Sequence, residues 1–454
     1  MSSYFKPLES PSPVLIRNAR FILTEKGVVH KKSVLIKDRR IIEIDKEDPI
    51  KRKFGRPEEV IDASKCLVMP GLINTHSHIA MSLFRGYAEE LRLLDWLENK
   101  IWPAEKKLKP WHIEIGAALS VAEMLLSGTT SVVSMYFYNK SGSEADAVNN
   151  LGMRGALSHG IVEWAREKDI VKTKEFVRTW HGKDKGRIRI ETAPHAPYTC
   201  SPDLLKEIEE VRADLNTSHG REYRILNTIH TAESKEETKE IKKNFGVTAT
   251  KGVATYLKSL QALTKETIAA HCIHLTENDF NSFKSSGASI SSCPVSNLKI
   301  GMGVADLPKA ISHGINVSLG TDGPASNNSL DMFETMKLSS LLQKGIRNDA
   351  TLMKARHTLE LATIAGAKAL HQEKEIGSIR VGKRADLVVL QLSEMHSTPI
   401  FDPYSHIIYS AKSSDVRDVL IDGRIIVRNR EVLSLNKTEL LDNFNEVTSE
   451  LNLK

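Results

Sequence analysis

Between Pro70 and Glu375 short apolar runs alternate with longer amphipathic ones, and this alternation constrains the fold more than any other feature of the chain. Eight runs have strand length and composition: Cys66 to Asn74, Thr130 to Met135, Arg154 to Ile161, Arg187 to Ala193, Arg224 to Ile229, Ile268 to His271, Ala288 to Ser292 and Ile315 to Gly320. Helical stretches separate them, among them His112 to Leu126, Pro202 to Leu215, Leu330 to Leu342 and Met353 to Leu370. A strand, a helix and a further strand make parallel neighbours, because only a crossover returns the chain to the same sheet. Eight such units over about 300 residues suit an α/β fold of the closed (β/α)8 TIM-like type, typically ~250 residues plus insertions. An open doubly wound sheet is the alternative, but no GxGxxG loop opens any helix.

The flanks have a different texture. Val14-Leu15-Ile16, Phe21-Ile22-Leu23 and Ser33-Val34-Leu35-Ile36 are short β runs with turn residues such as Lys37-Asp38-Arg39 between them. The same pattern returns after Gly377, at Ala385 to Leu390 and Asp415 to Val427, where Asp422-Gly423 between apolar runs signals a hairpin. A chain of 454 residues exceeds what one core usually organises. The two ends are therefore expected to build one small β-sandwich domain together, from residues 1–68 and 376–436, around a barrel at 69–375 and before a C-terminal helix at 437–454.

Composition removes several function classes. No stretch approaches the ~20 apolar residues that span a bilayer, and Met1 to Pro13 lacks a signal-like apolar run. A cytoplasmic location without membrane contact is the resulting expectation. Cys66, Cys200, Cys272 and Cys293 form no CxxC pair, which argues against a disulfide framework or a zinc knuckle. The net charge of +6 comes from 63 basic against 57 acidic residues. Its densest runs, His30-Lys31-Lys32 and Lys51-Arg52-Lys53, are short, and Lys235 to Lys243 alternates with glutamates as a solvated helix face does. Nucleic acid is not an expected partner.

The chemistry lies in where polar residues fall on the strands. His76 and His78 follow the first strand, His195 the fourth, His230 the fifth and Asp322 the eighth, while His271 ends the sixth. Carboxyl ends of barrel strands converge on one mouth, so these side chains would meet in one cup. His76-Ser77-His78 puts two imidazoles on the same side of an extended backbone. With His230 and Asp322 they make a set suited to zinc, iron or another first-row ion with a position left for water. Glu233, at the start of the next helix, is either a general acid or base in the cup or a first-turn glutamate serving the helix dipole. His271 and Asp322 would move protons of a water acidified by the ion. Such a site performs hydrolysis.

Four stretches carry a resemblance to a known family: Met69 to His78 (MPGLINTHSH), Leu94 to Glu105 (LDWLENKIWPAE), Ala193 to Tyr198 (APHAPY) and Gly320 to Asn328 (GTDGPASNN). Together they resemble the amidohydrolase superfamily, within it the branch of 5'-methylthioadenosine and S-adenosylhomocysteine deaminases. The resemblance implies one zinc or iron ion held by His76, His78, His230 and Asp322. It implies that Glu105 holds ribose hydroxyls, Glu233 protonates the purine, His271 assists the attacking water and His195 lines the sugar and 5' end. Water would attack C6 of adenine, and ammonia would leave an inosine analogue. The implied partner is a small nucleoside, and a homo-oligomer is expected. The fourth strand has no interior lysine to be carboxylated, which fits a single ion. Ser158-His159-Gly160 stands where relatives that bind an amino-acid tail place arginines, so His159 is expected at the 5' end. Histidine grips a carboxylate less firmly than a guanidinium does, which favours a small or neutral 5' group.

Guanine, pterin or triazine deaminases and chlorohydrolases on the same scaffold are the nearest alternatives, and a non-catalytic scaffold protein is a remoter one. The base-editing zinc deaminases are excluded. Their H-x-E has a chance match at His112-Ile113-Glu114, but Cys293-Pro294 is reversed and has no partner cysteine.

Overall fold

The computed structural model describes residues 2–55, 57–137 and 142–453, so residues 1, 56 and 454 of the terminal stretches read above lie outside the described residues. Eight parallel strands pair in chain order: β1 (Leu72–Ser77), β2 (Thr129–Tyr136), β3 (Arg154–Ile161), β4 (Ile188–Pro194), β5 (Asn227–Thr231), β6 (Thr267–His271), β7 (Ser289–Ser292) and β8 (Asn316–Leu319). The sheet curls until β8 meets β1. There Thr75 Oγ1 donates to the Leu319 carbonyl at 3.0 Å, and the Asp322 N–H donates to the His76 carbonyl at 3.0 Å. A Cβ at Gly320 would stand 2.9 Å from the backbone nitrogen and oxygen of His76. Only glycine allows that approach.

The run Cys66 to Asn74 is two strands rather than one. Cys66–Pro70 pairs antiparallel with Leu387–Gln391 in the flanking sheet, and Leu72–Ser77 opens the barrel. At the break Gly71 donates its N–H to the Asp386 carbonyl at 2.9 Å. A Cβ there would lie 2.1 Å from the Thr130 hydroxyl, so no larger residue fits between the two sheets. Pro70-Gly71 is a dipeptide of the kind that interrupts strands.

Among the described residues the flanking sheet has nine strands from both chain ends. Its order is Glu431–Val432, Arg424–Arg428, Val416–Ile421, Leu387–Gln391, Cys66–Pro70, Val14–Thr24, Gly27–Lys37 and Arg40–Asp45, with Glu59–Asp62 also paired to Val14–Thr24. Side chains from distant strands, including Ile16, Ile36, Ile41, Val68, Val389 and Leu420, share one core, so the sheet folds over on itself. The hairpin at Asp422-Gly423 forms as its residues dictate, with φ of 50° and 73°.

Inside the barrel, Ile73, Val133, Ala156, Leu226 and Ile268 pack toward the amino ends of the strands with Ala367, Leu370 and Ile376. Apolar filling at that end leaves the carboxyl ends for polar residues. The run Met353 to Leu370 is two helices, Ala355–Leu361 and Ile364–Ala369, broken at Thr363 with φ −134° and ψ −92°. The C-terminal helix, Lys437–Leu451, buries Leu440, Val447 and Leu451, each worth roughly 1.5–3 kcal/mol when fully removed from water. It packs on Pro110–Leu126, where His112 meets Glu450 at 3.3 Å. Among the described residues no helix is long and apolar enough to cross a membrane.

Candidate active site

Six of the eight strands end in or beside a pocket lined by His78, Glu105, His195, His230, Glu233, His271 and Asp322, together with apolar side chains from Met81 to Ile300. Each polar group except Glu105 owes its place to a strand end. His76 is the penultimate residue of β1, His78 the first after it, His230 lies in β5, His271 closes β6 and Asp322 follows β8. Ala232, His271 and Asp322 all have left-handed backbone, with φ of 49°, 68° and 65°. Such conformations cost on the order of 1–3 kcal/mol each and gather where side chains must be aimed.

The ligand atoms of His76, His78 and His230 lie within 4.8 Å of one another, as do those of His76, His271 and Asp322. His78 Nδ1 faces the Met135 carbonyl at 2.6 Å and His230 Nδ1 faces the His195 carbonyl at 2.7 Å. A carbonyl only accepts, so both protons sit on Nδ1 and neutral rings present their lone pairs at Nε2. Those two Nε2 atoms stand 3.4 Å apart. His76 Nε2 is buried without a hydrogen-bond partner. Asp322 Oδ1 lies 3.2 Å from His78 Nε2 and 3.6 Å from His76 Nε2. Three lone pairs and a carboxylate aimed at one point repel one another unless a cation lies between them, so the donor set fits a divalent ion. Hydrogen bonds that fix the tautomer from behind are what metal-binding histidines have.

Electrostatics favours the neutral form at His76 and His230, whereas Asp322, with no cation between them, favours the charged form at His78. Burial first, and the neighbouring histidines next, hold His76 and His230 well below the ordinary imidazole range. Burial also works against charge on His78, but the hydrogen bond to Asp322 and its charge lift that ring to about 9. Burial disfavours the Asp322 carboxylate as well, yet His78, His271 and His76 hold it well below the usual range. Ser296 and Ser326 donate to its Oδ2 at 2.6 and 2.7 Å, leaving Oδ1 toward the cup.

The other candidates surround this centre. His271 Nδ1 meets Asn297 Oδ1 at 2.9 Å, and its Nε2 lies 3.7 Å from Glu233 Oε1. Burial raises Glu233, opposed by His271. His195 Nδ1 is held by Thr199 Oγ1 at 2.9 Å, and burial followed by repulsion from His78 lowers the ring to about 3. Glu105, in the helix Trp102–Glu105, is buried with no hydrogen-bond partner for Oε2. Burial pushes it up to about 7, against the pull of Tyr136 and His78.

His159 is the one sequence candidate that the fold does not bring here. Its Nε2 bonds Asp169 Oδ1 at 2.9 Å, in the layer between β3 and the helix Arg166–Trp180. Both faces of β3 are buried, so no polar alternation in the sequence reveals which residues point inward. Sequence reasoning missed Ser296, Asn297, Thr199 and Ser326, which orient the site. Ser296 and Asn297 lie on Pro294–Lys299, directly after β7, and the rule of strand ends applied to that strand would have found them.

Residues 67–426 match the amidohydrolase family, to which this chain belongs. A 5'-deoxyadenosine deaminase of Methanosarcina mazei is 40% identical over 446 residues, covering 96% of this chain and 98% of the relative. A 5-methylthioadenosine/S-adenosylhomocysteine deaminase of Thermoanaerobacter pseudethanolicus is 40% identical over 390 residues, covering 85% of this chain and 87% of that one. Among solved structures, an adenosine deaminase from Xanthomonas campestris with bound zinc has a TM-score of 0.89 at 30% identity, covering 97% of this chain and 99% of its own.

Proposed function

We propose that this protein is a metal-dependent hydrolytic deaminase that converts an adenosine-type nucleoside to the inosine analogue and ammonia, with 5'-deoxyadenosine and 5'-methylthioadenosine as its best substrates. The observation that carries this reading is a buried carboxylate with a bare oxygen, Glu105, on the wall of the same pocket as the histidine and aspartate cup. A hydrolase acting on a free base has no need of it, whereas a ribose offers two hydroxyl donors that a carboxylate accepts together.

His76, His78, His230 and Asp322 would hold the ion, zinc by analogy with the zinc-bound neighbour. When bound, the ion supplies Lewis acidity and a water whose pKa falls toward ~7. Asp322 Oδ1 and His271 Nε2 would take up the proton that the attacking water loses and pass it to the departing amino group, which leaves as ammonia. Glu233, raised by burial, holds a proton for the ring nitrogen beside the amino-bearing carbon. Glu105 orients the ribose, and His195 closes the pocket wall beside it. Leu93, Trp96, Leu97, Ile101 and Trp102 make the remaining wall apolar and exclude water.

S-Adenosylhomocysteine is the second reading, favoured by a separate groove. It shares Trp102 and Phe137 with the pocket and carries Lys106, Lys168 and Lys172, where a charged tail would find cations. A kinetic panel of adenosine, 5'-deoxyadenosine, methylthioadenosine and S-adenosylhomocysteine, with guanine and a triazine alongside, tests both. Ammonia from guanine or the triazine with none from any nucleoside would overturn the nucleoside reading. A higher kcat/KM for S-adenosylhomocysteine than for 5'-deoxyadenosine would favour the second reading over the first.

A further inference from the structure

Glu237 has no part in the chemistry above, although it is 1% exposed and touches the turn that carries Glu233. After β5 the chain passes through left-handed Ala232 and enters the helix Glu237–Phe245. From the first position of that helix the Glu237 side chain reaches back. Its Oε2 accepts the backbone N–H of Glu233 at 2.8 Å, and the neighbouring N–H groups of Ala232 and Ser234 favour the charged form of the same carboxylate. Successive N–H groups in a turn with a left-handed residue form a concave anion site, and a carboxylate seated there fixes the shape of the turn.

A glutamate serving only the helix dipole sits in solvent in the first turn, as charge there is stabilising without burial. Glu237 instead is turned inward, close enough to Tyr198 of the pocket wall and to Cys272 after β6 for its charge to act on both groups. Burial pushes it up to about 8. That burial is costly for an ionisable group, and the contact it secures is the backbone of the residue read as the proton donor.

We propose that Glu237 is a positioning residue that aims the Glu233 carboxyl at the purine by holding the Glu233 amide. The inference rests on the deaminase reading of Glu233. Its test uses the full-length, zinc-loaded enzyme with 5'-deoxyadenosine and the variants Glu237→Ala, Glu237→Asp, Glu237→Gln, Glu233→Gln and Glu233→Gln/Glu237→Ala. Displacing a catalytic group by about 1 Å costs up to ~100-fold, so Glu237→Ala and the one-methylene-shorter Glu237→Asp should lower kcat by about 10- to 100-fold with KM and zinc content little changed. Glu237→Gln keeps an acceptor oxygen and should retain about ten times the kcat of either. The double variant should be no slower than Glu233→Gln, because Glu237 acts only through Glu233. Equal kcat in Gln and Asp variants, or a double variant slowed by the product of the single losses, would overturn the proposal, and the Gln to Asp comparison decides it even if the Ala variant does not fold. A wild-type enzyme without turnover would remove the deaminase reading itself, which is a different failure.

Discussion

The two ends of the barrel treat buried charge in opposite ways. At the amino ends of the strands, Arg154 is bound by Asp386 at 2.9 and 3.1 Å and by Asp422 at 2.7 Å, with side chains 3% exposed or less. Arg384 and Arg39 also donate to Asp422, at 2.9 and 3.2 Å, while Arg39, Arg187 and Arg424 converge on Asp184. Charges there are matched by partners of opposite sign, and the network ties the barrel to the flanking sheet. At the carboxyl ends, His76 Nε2, His271 Nε2 and Glu105 Oε2 are buried without partners. An unpaired buried polar atom costs roughly 1–3 kcal/mol, so several gathered at one pocket suit a site that a ligand completes. Compensated burial reads as architecture, and uncompensated burial at strand ends reads as a place for metal and substrate.

The largest test of that contrast is at the cup. Asp322→Asn and His271→Ala should each lower kcat by about 1000-fold or more while far-ultraviolet circular dichroism stays unchanged. Near wild-type turnover in either variant would take that residue out of the catalytic step. Arg154→Leu should do the reverse. Leaving Asp386 and Asp422 buried without it costs on the order of 3–5 kcal/mol, read from the denaturant midpoint, with kcat/KM of the folded fraction preserved. Burial works against Asp422, but Arg154 and Arg384 hold its carboxyl well below the ordinary range. Its folded pKa is depressed, so this stabilisation is present above the unfolded value of ~3.9 and disappears only as pH falls through the lower folded one. The clasp should therefore be insensitive to pH across the neutral range, and a Leu variant whose stability deficit shrinks between pH 6 and 8 would contradict that.

The difference between the two ends also explains what was legible in the sequence. The cup could be read because strand ends converge by rule, so His76, His78, His230, His271 and Asp322 follow from strand placement alone. The clasp could not be read: its members lie as far apart as Arg39 and Asp422, and no local pattern pairs them. The hairpin at Asp422 was visible from its turn residues, yet the use of the same aspartate as an ion-pair hub was not. Cys66 to Asn74 reads as one strand because its apolar content is continuous, and only the Pro70-Gly71 pair marks where it divides. The groups that orient the site, such as Asn297 behind His271 and Ser296 behind Asp322, are ordinary polar residues whose role comes from tertiary contact.

Glu105 sharpens the comparison by a smaller effect. Glu105→Gln keeps the volume but loses one acceptor, and a charged hydrogen bond of about 1.5–3 kcal/mol corresponds to a rise of about 10- to 100-fold in KM for 5'-deoxyadenosine. The loss should be confined to nucleosides, and an equal loss for free adenine would separate Glu105 from the ribose. Because burial raises its pKa to about 7, the carboxylate form is lost as pH falls through that value. KM of the wild type should therefore rise on acidification from pH 8 to pH 6, and the Gln variant should show a flatter profile over the same interval.

The smallest expected effect is at His159, which shares burial with the cup but has its partner in Asp169. Burial lowers its pKa and the Asp169 hydrogen bond opposes that shift, so its Nε2 is held in the manner of the clasp although its Nδ1 is buried without a partner. His159→Asn removes that hydrogen bond at a cost of about 1–3 kcal/mol in stability. Relative kcat/KM values across the substrate panel should change by less than about threefold, because His159 lines neither the pocket nor the groove beside it. A selective loss of turnover on S-adenosylhomocysteine, with 5'-deoxyadenosine unaffected, would show that the substrate's tail extends past Phe137 toward Asp169 and Lys172. The groove that shares Phe137 with the pocket would then be part of the binding site, and the division between compensated and uncompensated burial would fail at this residue.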